Sequence, residues 1–271
     1  MTAALPSALI TGAGRGIGRE IARTFAAAGF RLTLVARSRA QLEVTAADLP
    51  ADLCRIVPAD VAQPADCRKV IAAALDQAGQ LDVLINAAGM LGAIGPFWEA
   101  SPDHWQQAIE VNLIGTFQMA RLAVPHLRAT RGVIINFAGG GDGPMPYFSA
   151  YSASKAALIR FTETTAEELR PLGIRINIIA PGPVPTQMLE TVRAAAARWL
   201  PPPSPSQPRP CAPAGVSPGL AAQLCLFLAS PAAQALSGKY LSAVWDDWRN
   251  WTPDQIADIA AANRLTLRRN P

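Results

Sequence analysis

The chain has 271 residues, of which 50% are hydrophobic and 16% are charged, a composition sufficient for a large buried core in a single domain. The net charge of +4 is scattered along the chain except at residues 264–269, which argues against a nucleic-acid-binding surface. The longest apolar runs are too short to span a bilayer and residues 1–10 lack the pattern of a secretion signal, so we expect a cytoplasmic protein without membrane partners.

The four cysteines form no C-x-x-C pair. This spread favours free thiols in a reducing compartment over a disulfide framework or a zinc site, so we expect no metal. The residues are Cys54, Cys67, Cys211 and Cys225.

The first predicted elements are a short apolar strand at 7–10, a glycine-rich turn and an amphipathic helix at 19–28. Glycines allow the backbone to turn tightly and to approach a pyrophosphate, whose charge then lies against the free N–H groups at the helix start. A strand, a glycine turn and a helix in this order predict a dinucleotide site. The turn residues assigned to it are Gly12, Gly14, Arg15, Gly16, Ile17 and Gly18.

The second predicted strand, 31–36, ends at Arg37 and Ser38 rather than at an acidic residue. In a dinucleotide fold an acid at this point would bind the free 2′-hydroxyl of NAD. Arg37, together with Arg15 and with Ser38 or Arg39, can instead bind a 2′-phosphate through charge-assisted hydrogen bonds. NADP(H) is therefore the favoured cofactor. NAD(H) is the alternative, and in that case Arg37 is only a solvent-exposed arginine.

Two further strands are predicted before residue 90. The first is followed by Asp60 and Val61, and the second by Asn86, Ala87, Ala88 and Gly89. Small residues at this point let the backbone approach a ligand at the carboxyl end of a strand. The predicted elements are helix 40–48, strand 54–59, helix 64–77 and strand 83–85.

A long helix is predicted from an N-cap at Ser101 to Leu127. Asn112 lies in its apolar run, and because a buried amide needs partners it is either a structural bridge or a site residue. Strands at 133–137 and 174–179 flank another helix that ends near residue 169. This alternation predicts a Rossmann-type, doubly wound α/β domain with about seven parallel strands and helices on both faces.

Residues 201–218 are too rich in proline for a regular helix or strand. We interpret 187–218 as a lid over the substrate site, with a bare linker as the alternative. A helix at 220–228 and a strand at 240–244 follow. The extension 245–271 carries Trp245, Trp248 and Trp251, which we expect to bury against a neighbouring part of the protein or another subunit rather than to bind a cofactor.

Tyr151 and Lys155 stand four positions apart in the sequence, so on a helix that begins near Ser149 they lie on the same face. A neighbouring ammonium favours the phenolate and lowers a tyrosine pKa towards the range of a proton donor and acceptor. An isolated pair of this kind is also common at an ordinary helix start, and the surrounding motifs must decide.

Those motifs, taken in order over residues 8–244, resemble the short-chain dehydrogenase/reductase family. The resemblance implies that Tyr151 is the general acid/base for a carbonyl or secondary alcohol, that Lys155 holds the nicotinamide ribose, and that Asn112 supports a proton-relay water. It also implies that Asp60 contacts the adenine and that Thr186 contacts the nicotinamide carboxamide. The predicted cofactor-binding residues are Gly12, Gly14, Arg15, Gly16, Ile17, Gly18, Arg37, Ser38, Asp60, Val61, Asn86, Ala87, Gly89, Tyr151, Lys155, Pro181, Gly182, Val184 and Thr186.

Ala138 occupies the position where the family has a catalytic serine. Loss of one such hydrogen-bond donor costs on the order of 10² to 10³ in rate. Three alternatives therefore stand open. The chain is a natural enzyme with a substitute hydrogen-bond donor, a serine-to-alanine variant, or a cofactor-binding protein that no longer catalyses reduction. Candidate substitutes are Ser149, Ser152, Asp142 and the amides of residues 139–141.

The sequence thus predicts an NADP(H)-dependent oxidoreductase that interconverts a ketone and a secondary alcohol and forms a homo-oligomer. The alternatives are a catalytically weak or inactive nucleotide-binding homologue and non-redox proton chemistry at the same tyrosine and lysine.

Overall fold

Seven short strands form one parallel sheet in the computed structural model, which describes residues 5–139, 144–199, 215–262 and 264–267. The strand order is β3-β2-β1-β4-β5-β6-β7, so the order reverses between β1 and β4. In such sheets ligands bind at the carboxyl ends of the strands beside this reversal. The strands are β1 (Ser7–Thr11), β2 (Arg31–Ala36), β3 (Cys54–Pro58), β4 (Val83–Asn86), β5 (Val133–Phe137), β6 (Arg175–Ala180) and β7 (Tyr240–Ser242).

Helices cover both faces of this sheet. Successive residues of β1 point to opposite faces, so Leu9 joins one buried apolar cluster and Ile10 joins the other. This two-sided burial explains why the strands are continuous apolar runs. The helices are α1 (Gly16–Ala27), α2 (Arg39–Ala46), α3 (Pro64–Ala78), α4 (Pro102–Ile109), α5 (Thr116–Thr130), α6 (Ser149–Leu169), α7 (Gln187–Trp199), α8 (Pro218–Ala229) and α9 (Pro253–Ala261), with short 3₁₀ helices at Phe97–Glu99, Arg170–Leu172 and Pro231–Ala233.

The helix predicted from Ser101 to Leu127 runs without a break from Pro102 to Thr130, but it is not α-helical throughout. A π-helix at Glu110–Gly115 separates α4 from α5, and it contains the buried Asn112. Such wide turns are rare in helices overall, but those that occur are often found at functional sites. The predicted helix is therefore present, with a wide turn at the point where Asn112 lies.

The segment predicted as a lid begins with a helix, α7, that ends at Trp199. Within the predicted lid, 187–218, prolines occur only from residue 201 onward, which leaves 187–199 free to form this helix. Residues 200–214 lie outside the described part of the chain, so the proline-rich portion of the lid stays a prediction.

The C-terminal extension packs against its own chain. Trp248 is buried beside Phe227 with the two rings 5.7 Å apart, and Trp251 packs against the same apolar cluster. Trp245 is 71% exposed. Thr252 caps α9 in a reciprocal arrangement with Gln255, which fixes where this last helix begins. Within the described residues no helix is both long and apolar enough to cross a membrane.

Candidate active site

The glycine turn after β1 has no room for side chains at two of its positions. A β-carbon built on Gly12 would lie 2.7 Å from the carbonyl oxygen of Ala87, and one built on Gly18 would lie 2.3 Å from the carbonyl oxygen of Gly12. Gly12 also has a φ of +69°, which favours glycine. The turn leads into α1, whose first N–H groups lack intrahelical partners and can bind an anion.

Two residues that the sequence analysis missed hold this turn in place. Arg19 donates to the carbonyl oxygen of Gly14 (2.7 Å), and Thr45 donates to that of Ala13 (3.0 Å). Arg19 also donates to the Thr45 hydroxyl (3.0 Å), which joins the two supports. The sequence carries no signal for this contact, because Thr45 lies on α2 and only the folded chain brings it to the turn.

The predicted phosphate-binding residues lie at the surface beside the turn. Arg37 is exposed at the end of β2, and Arg15 donates to the side-chain oxygen of Gln187 at the start of α7. Ser38 accepts from the amide of Gln41 (3.3 Å) and thereby caps α2. Arg15 therefore links the glycine turn to α7.

Asp60 and Val61 follow β3 in a compact turn. The Asp60 carboxylate accepts from the amide of Ala62 (3.0 Å), and the Asp60 amide donates to Asp66 (2.9 Å). Val61 is buried against Gly115 of the π-helix, where an added β-carbon would lie 2.9 Å from a Val61 methyl group. The π-helix and the turn after β3 are therefore in direct contact.

Asn86 ends β4 and bridges to the neighbouring strand. Its side-chain amide donates to Asn136 on β5 (3.0 Å), and Asn136 in turn donates to Thr162 on α6 (2.9 Å). The side-chain oxygen of Asn86 is buried and has no hydrogen-bond partner among the described residues. This chain of amides ties the middle of the sheet to the helix that carries Tyr151.

Asn112 acts as a structural bridge in this structure. Its side chain accepts from the amide of Met90 (2.8 Å) and donates to the carbonyl oxygen of Met90 (2.9 Å) and to Ser154 (2.9 Å). Both amide protons are thus used. A β-carbon on Gly89 would lie 3.3 Å from the Asn112 side-chain oxygen and 3.6 Å from Lys155 Nζ, so these three residues meet at the site.

Lys155 is buried, with 4% of its surface exposed, and its ammonium donates to the carbonyl oxygen of Phe137 at the end of β5 (2.7 Å). Burial lowers the pKa of Lys155 to about 8. Tyr151 lies one helical turn earlier, with Lys155 Nζ 5.8 Å from its ring centroid.

The expected lowering of the Tyr151 pKa is not found. Burial instead raises the pKa of Tyr151 to about 12, because the enclosed phenolate would lose its hydration. The Lys155 ammonium is directed at the Phe137 carbonyl and does not compensate for this loss. The phenol is therefore protonated at neutral pH in this state.

The depressed pKa of Lys155 predicts a pH-dependent stability. Between pH 8 and about 10, Lys155 keeps its proton in the unfolded chain but has lost it in the folded protein. The free energy of unfolding therefore rises with pH in this window. Across this pH window, the free energy of unfolding of the wild type should rise by on the order of 2–3 kcal/mol relative to that of Lys155→Met. Urea unfolding at several pH values measures this difference. Lys69→Met, which removes an exposed lysine on α3, should show no such difference, and parallel curves for wild type and Lys155→Met would contradict the burial of the charge.

Ala138 and Gly139 follow β5 and face Tyr151. Ala138 is 4% exposed, and its amide donates to the carbonyl oxygen of Ile179 (2.9 Å), which extends the pairing of β5 with β6. A β-carbon built on Gly139 would lie only 2.2 Å from the Tyr151 hydroxyl. The tyrosine oxygen therefore occupies the space that a side chain at position 139 would need.

Two of the predicted substitute donors do not reach this point. Ser149 accepts from the indole N–H of Trp105 (3.1 Å), and neither Ser149 nor Ser152 lines the cavity that contains Ala138. Asp142 and residues 140 and 141 lie outside the described residues. The Gly139 amide remains a candidate, since Gly139 lines the cavity.

One cavity of about 950 Å³ connects the glycine turn to Tyr151 and Lys155. The predicted cofactor residues along its wall are Gly12, Arg15, Gly16, Ile17, Gly18, Ala87, Gly89, Pro181, Gly182, Val184 and Thr186. The lining of the whole cavity is mostly apolar. Its further apolar side chains include Leu91, Met145, Met188, Leu189, Val192, Trp245 and Leu265, and its polar ones include Gln187, Tyr240, Ser242, Asp246 and Thr266.

Helix α7 covers one side of this cavity and is held at both ends. Thr186 caps its start by accepting from the Leu189 amide (3.3 Å), and a Thr186 methyl group lies 3.2 Å from a β-carbon built on Gly16. At the other end Trp199 stacks on Tyr147, with the ring centroids 5.7 Å apart. Within the described residues, no group of three or more acidic, cysteine or histidine side chains is arranged to hold a metal ion.

The model of the short chain dehydrogenase family matches residues 6–197, which span β1 to α7. The chain belongs to the short-chain dehydrogenase family. The chain is 39% identical over 198 residues to a granaticin polyketide synthase putative ketoacyl reductase of Streptomyces violaceoruber, with 71% of this chain and 72% of the relative covered.

Two further relatives are similar over different lengths. An 11-beta-hydroxysteroid dehydrogenase-like protein of Arabidopsis thaliana is 40% identical over 189 residues, which are 66% of this chain but only 59% of the plant protein. The crystal structure of a 3-ketoacyl-(acyl-carrier-protein) reductase from Brucella melitensis, complexed with NADH, superimposes with a TM-score of 0.77 at 30% identity and covers 88% of this chain and 96% of its own.

Proposed function

We propose that this protein is an NADP(H)-dependent oxidoreductase that interconverts an apolar ketone and its secondary alcohol. The observation that carries this proposal is the single cavity that runs from the glycine turn to Tyr151 and Lys155. The mostly apolar lining of this cavity favours a hydrophobic substrate, and the family membership favours redox chemistry.

The residues around the turn fit a nicotinamide dinucleotide. Glycine is required at Gly12 and Gly18 because a β-carbon would collide with backbone, and the N-terminus of α1 offers its amides to a pyrophosphate. We assign a 2′-phosphate to Arg37, exposed at the end of β2, and to Arg15 beside the glycine turn, and this assignment favours NADP(H). The Brucella reductase was crystallised with NADH, and NAD(H) is the alternative for this chain.

Tyr151 holds the proton that a reduced carbonyl oxygen takes up. Its pKa of about 12 keeps the phenol protonated, so at neutral pH the residue is a donor in the reductive direction. A bound nicotinamide would supply or accept the hydride. Lys155, fixed by the Phe137 carbonyl, positions a positive charge behind the phenol and would hold the ribose. Asn112 fixes Met90 and Ser154 around this lysine.

Ala138 stands, in this proposal, in the place of the catalytic serine. The carbonyl oxygen of the substrate then lacks one hydroxyl donor, and the Gly139 amide is the substitute that the cavity offers. The same feature favours a second candidate function, a nucleotide-binding protein with weak or no turnover. Non-redox proton chemistry at Tyr151 is the third alternative.

The position of Gly139 gives a test of the tyrosine's role. Gly139→Ala would place a methyl group 2.2 Å from the Tyr151 hydroxyl and displace it. Since a displacement of about 1 Å at a reacting group costs roughly 10²-fold, kcat should fall by about that factor. NADPH affinity, measured by fluorescence titration, should change little, because the glycine turn is untouched; a variant with wild-type kcat would show that Tyr151 does not act from this position.

Cofactor choice is tested at Arg37. Loss of a charge-assisted hydrogen bond worth about 1.5–3 kcal/mol predicts a roughly 10- to 100-fold weaker NADPH affinity for Arg37→Ala. NADH affinity should be unchanged because NADH has no 2′-phosphate. Arg128→Ala removes an equal exposed charge at the far end of α5 and should affect neither cofactor. Equal affinities of the wild type for NADPH and NADH would contradict the proposed preference.

Turnover itself is tested by following the nicotinamide absorbance of a single turnover with NADPH and a panel of ketones that includes aliphatic, polycyclic and polyketide-like members. Oxidation of NADPH that depends on the ketone supports the proposal. Tight NADPH binding without oxidation in the wild type and in Ala138→Ser would favour the binding protein.

A further inference from the structure

The last described residues of the chain lie along the outer edge of the sheet. The carbonyl oxygen of Leu265 accepts from the amide of Tyr240 on β7 (2.7 Å). Because β7 is the terminal strand, this bond satisfies a backbone donor that an open edge would leave free. We name residues 265–267 the edge segment.

The edge segment is also tied to α6 by both backbone groups of Leu267. Arg160 donates to the Leu267 carbonyl oxygen (2.8 Å), and the Leu267 amide donates to the carboxylate of Glu163 (2.5 Å). Arg160 and Glu163 form an ion pair with each other (2.7 Å). Just before the segment, Lys239 donates to the carbonyl oxygen of Ala262 (2.7 Å). The position of the segment is thus fixed by several elements.

These contacts bring the edge segment to the cavity. Leu265 and Thr266 line it together with Tyr151 and Ala138. Leu267 packs against the small apolar cluster that contains Ala138. Leu265 has a φ of +55°, a left-handed conformation that is uncommon for a residue with a side chain. Such strain persists only where surrounding contacts determine it.

We propose that the edge segment is a wall of the substrate side of the cavity and that Leu265 determines the size of the ketone that the enzyme accepts. This inference rests on the function proposed above and adds to it a specificity-determining residue outside the region matched by the family model, which ends at residue 197. The wall belongs to the same chain as Tyr151.

The experiment compares Leu265→Gly, a chain that ends at Asn263, and the control Arg264→Ala. Glycine removes the side chain and suits the left-handed conformation, so this variant should fold. Arg264 is exposed and does not line the cavity. The measured quantity is the ratio of kcat/KM for a polycyclic ketone to that for a small aliphatic ketone, with NADPH affinity measured in parallel.

In Leu265→Gly and in the shortened chain, this ratio should rise at least about tenfold, mainly through KM, because even one methylene group in an apolar pocket changes discrimination by about 10- to 200-fold. Arg264→Ala should keep the wild-type ratio, and NADPH affinity should be unchanged in all variants. A folded Leu265→Gly protein with the wild-type ratio would overturn the proposal. If the wild type turns over no ketone, the proposed function fails, and the proposed wall is then tested by binding alone. The same two ketones are titrated calorimetrically into protein saturated with NADP⁺. Unchanged relative affinities in Leu265→Gly overturn the proposed wall, and a shift of relative affinity towards the polycyclic ketone supports it.

Discussion

Replacing Tyr151 by phenylalanine is expected to lower kcat for ketone reduction by about 10²- to 10⁴-fold, the range that a positioned proton donor contributes. The phenol is enclosed, and its pKa of about 12 makes it a protonated donor at neutral pH. Its hydroxyl lies against Gly139, beside the end of β5, so the substrate oxygen has a defined place to meet it. Steady-state kinetics with NADPH at saturating ketone measure the loss.

The control for this change is Tyr147→Phe. Tyr147 lies in the turn before α6, four positions ahead of Tyr151, and does not line the cavity; its ring stacks on Trp199 with or without the hydroxyl. It should retain turnover, and both variants should bind NADPH like the wild type. A Tyr151→Phe enzyme that kept most of its turnover would mean that the proton comes from another group.

Introducing a hydroxyl at position 138 is expected to have the opposite effect. One donor to a developing oxyanion is worth about 10²- to 10³-fold, so Ala138→Ser should raise kcat by at least about tenfold even with imperfect geometry. Ala138 lines the same cavity as Tyr151, which makes the new hydroxyl available to the substrate oxygen. The gain should appear in kcat rather than in KM, because the contact strengthens as charge develops.

Ala180→Ser is the matched control for this gain, because Ala180 ends the neighbouring strand β6 and lines the same cavity. It should not raise kcat. Combining Ala138→Ser with Tyr151→Phe should remove most of the gain, since both hydroxyls act on one oxygen. An unchanged rate in Ala138→Ser would mean that a substitute donor, such as the Gly139 amide, already fulfils the role.

The parallel sheet and the glycine turn could be predicted because local sequence determines them. The strands are apolar runs since both faces are buried, and Gly12 and Gly18 are required by backbone collisions within a short loop. The presence of Tyr151 and Lys155 on one helix face follows from helical geometry. The direction of the Tyr151 pKa shift could not be predicted in this way, because the burial of the phenol depends on the whole fold.

Other parts of the site depend on contacts between distant segments. Thr45 reaches the glycine turn from α2, and Leu265 reaches the cavity from the other end of the chain. Neither residue type carries a local signal for such a role. Helix α7 was not predicted, because its sequence lies between two proline-rich stretches, at 181–185 and beyond residue 200.

The π-helix at Glu110–Gly115 has a consequence for the permitted length of the chain. Each residue turns a helix by about 100°, so an insertion or deletion here would rotate all of α5 relative to α4. Met119, Ala123 and Leu127 now face the core and would turn away from it. At the same time the wide turn is where Asn112 meets Met90 and Ser154. The number of residues between α4 and α5 is thus constrained from two sides, by apolar packing along α5 and by amide bonding beside Lys155.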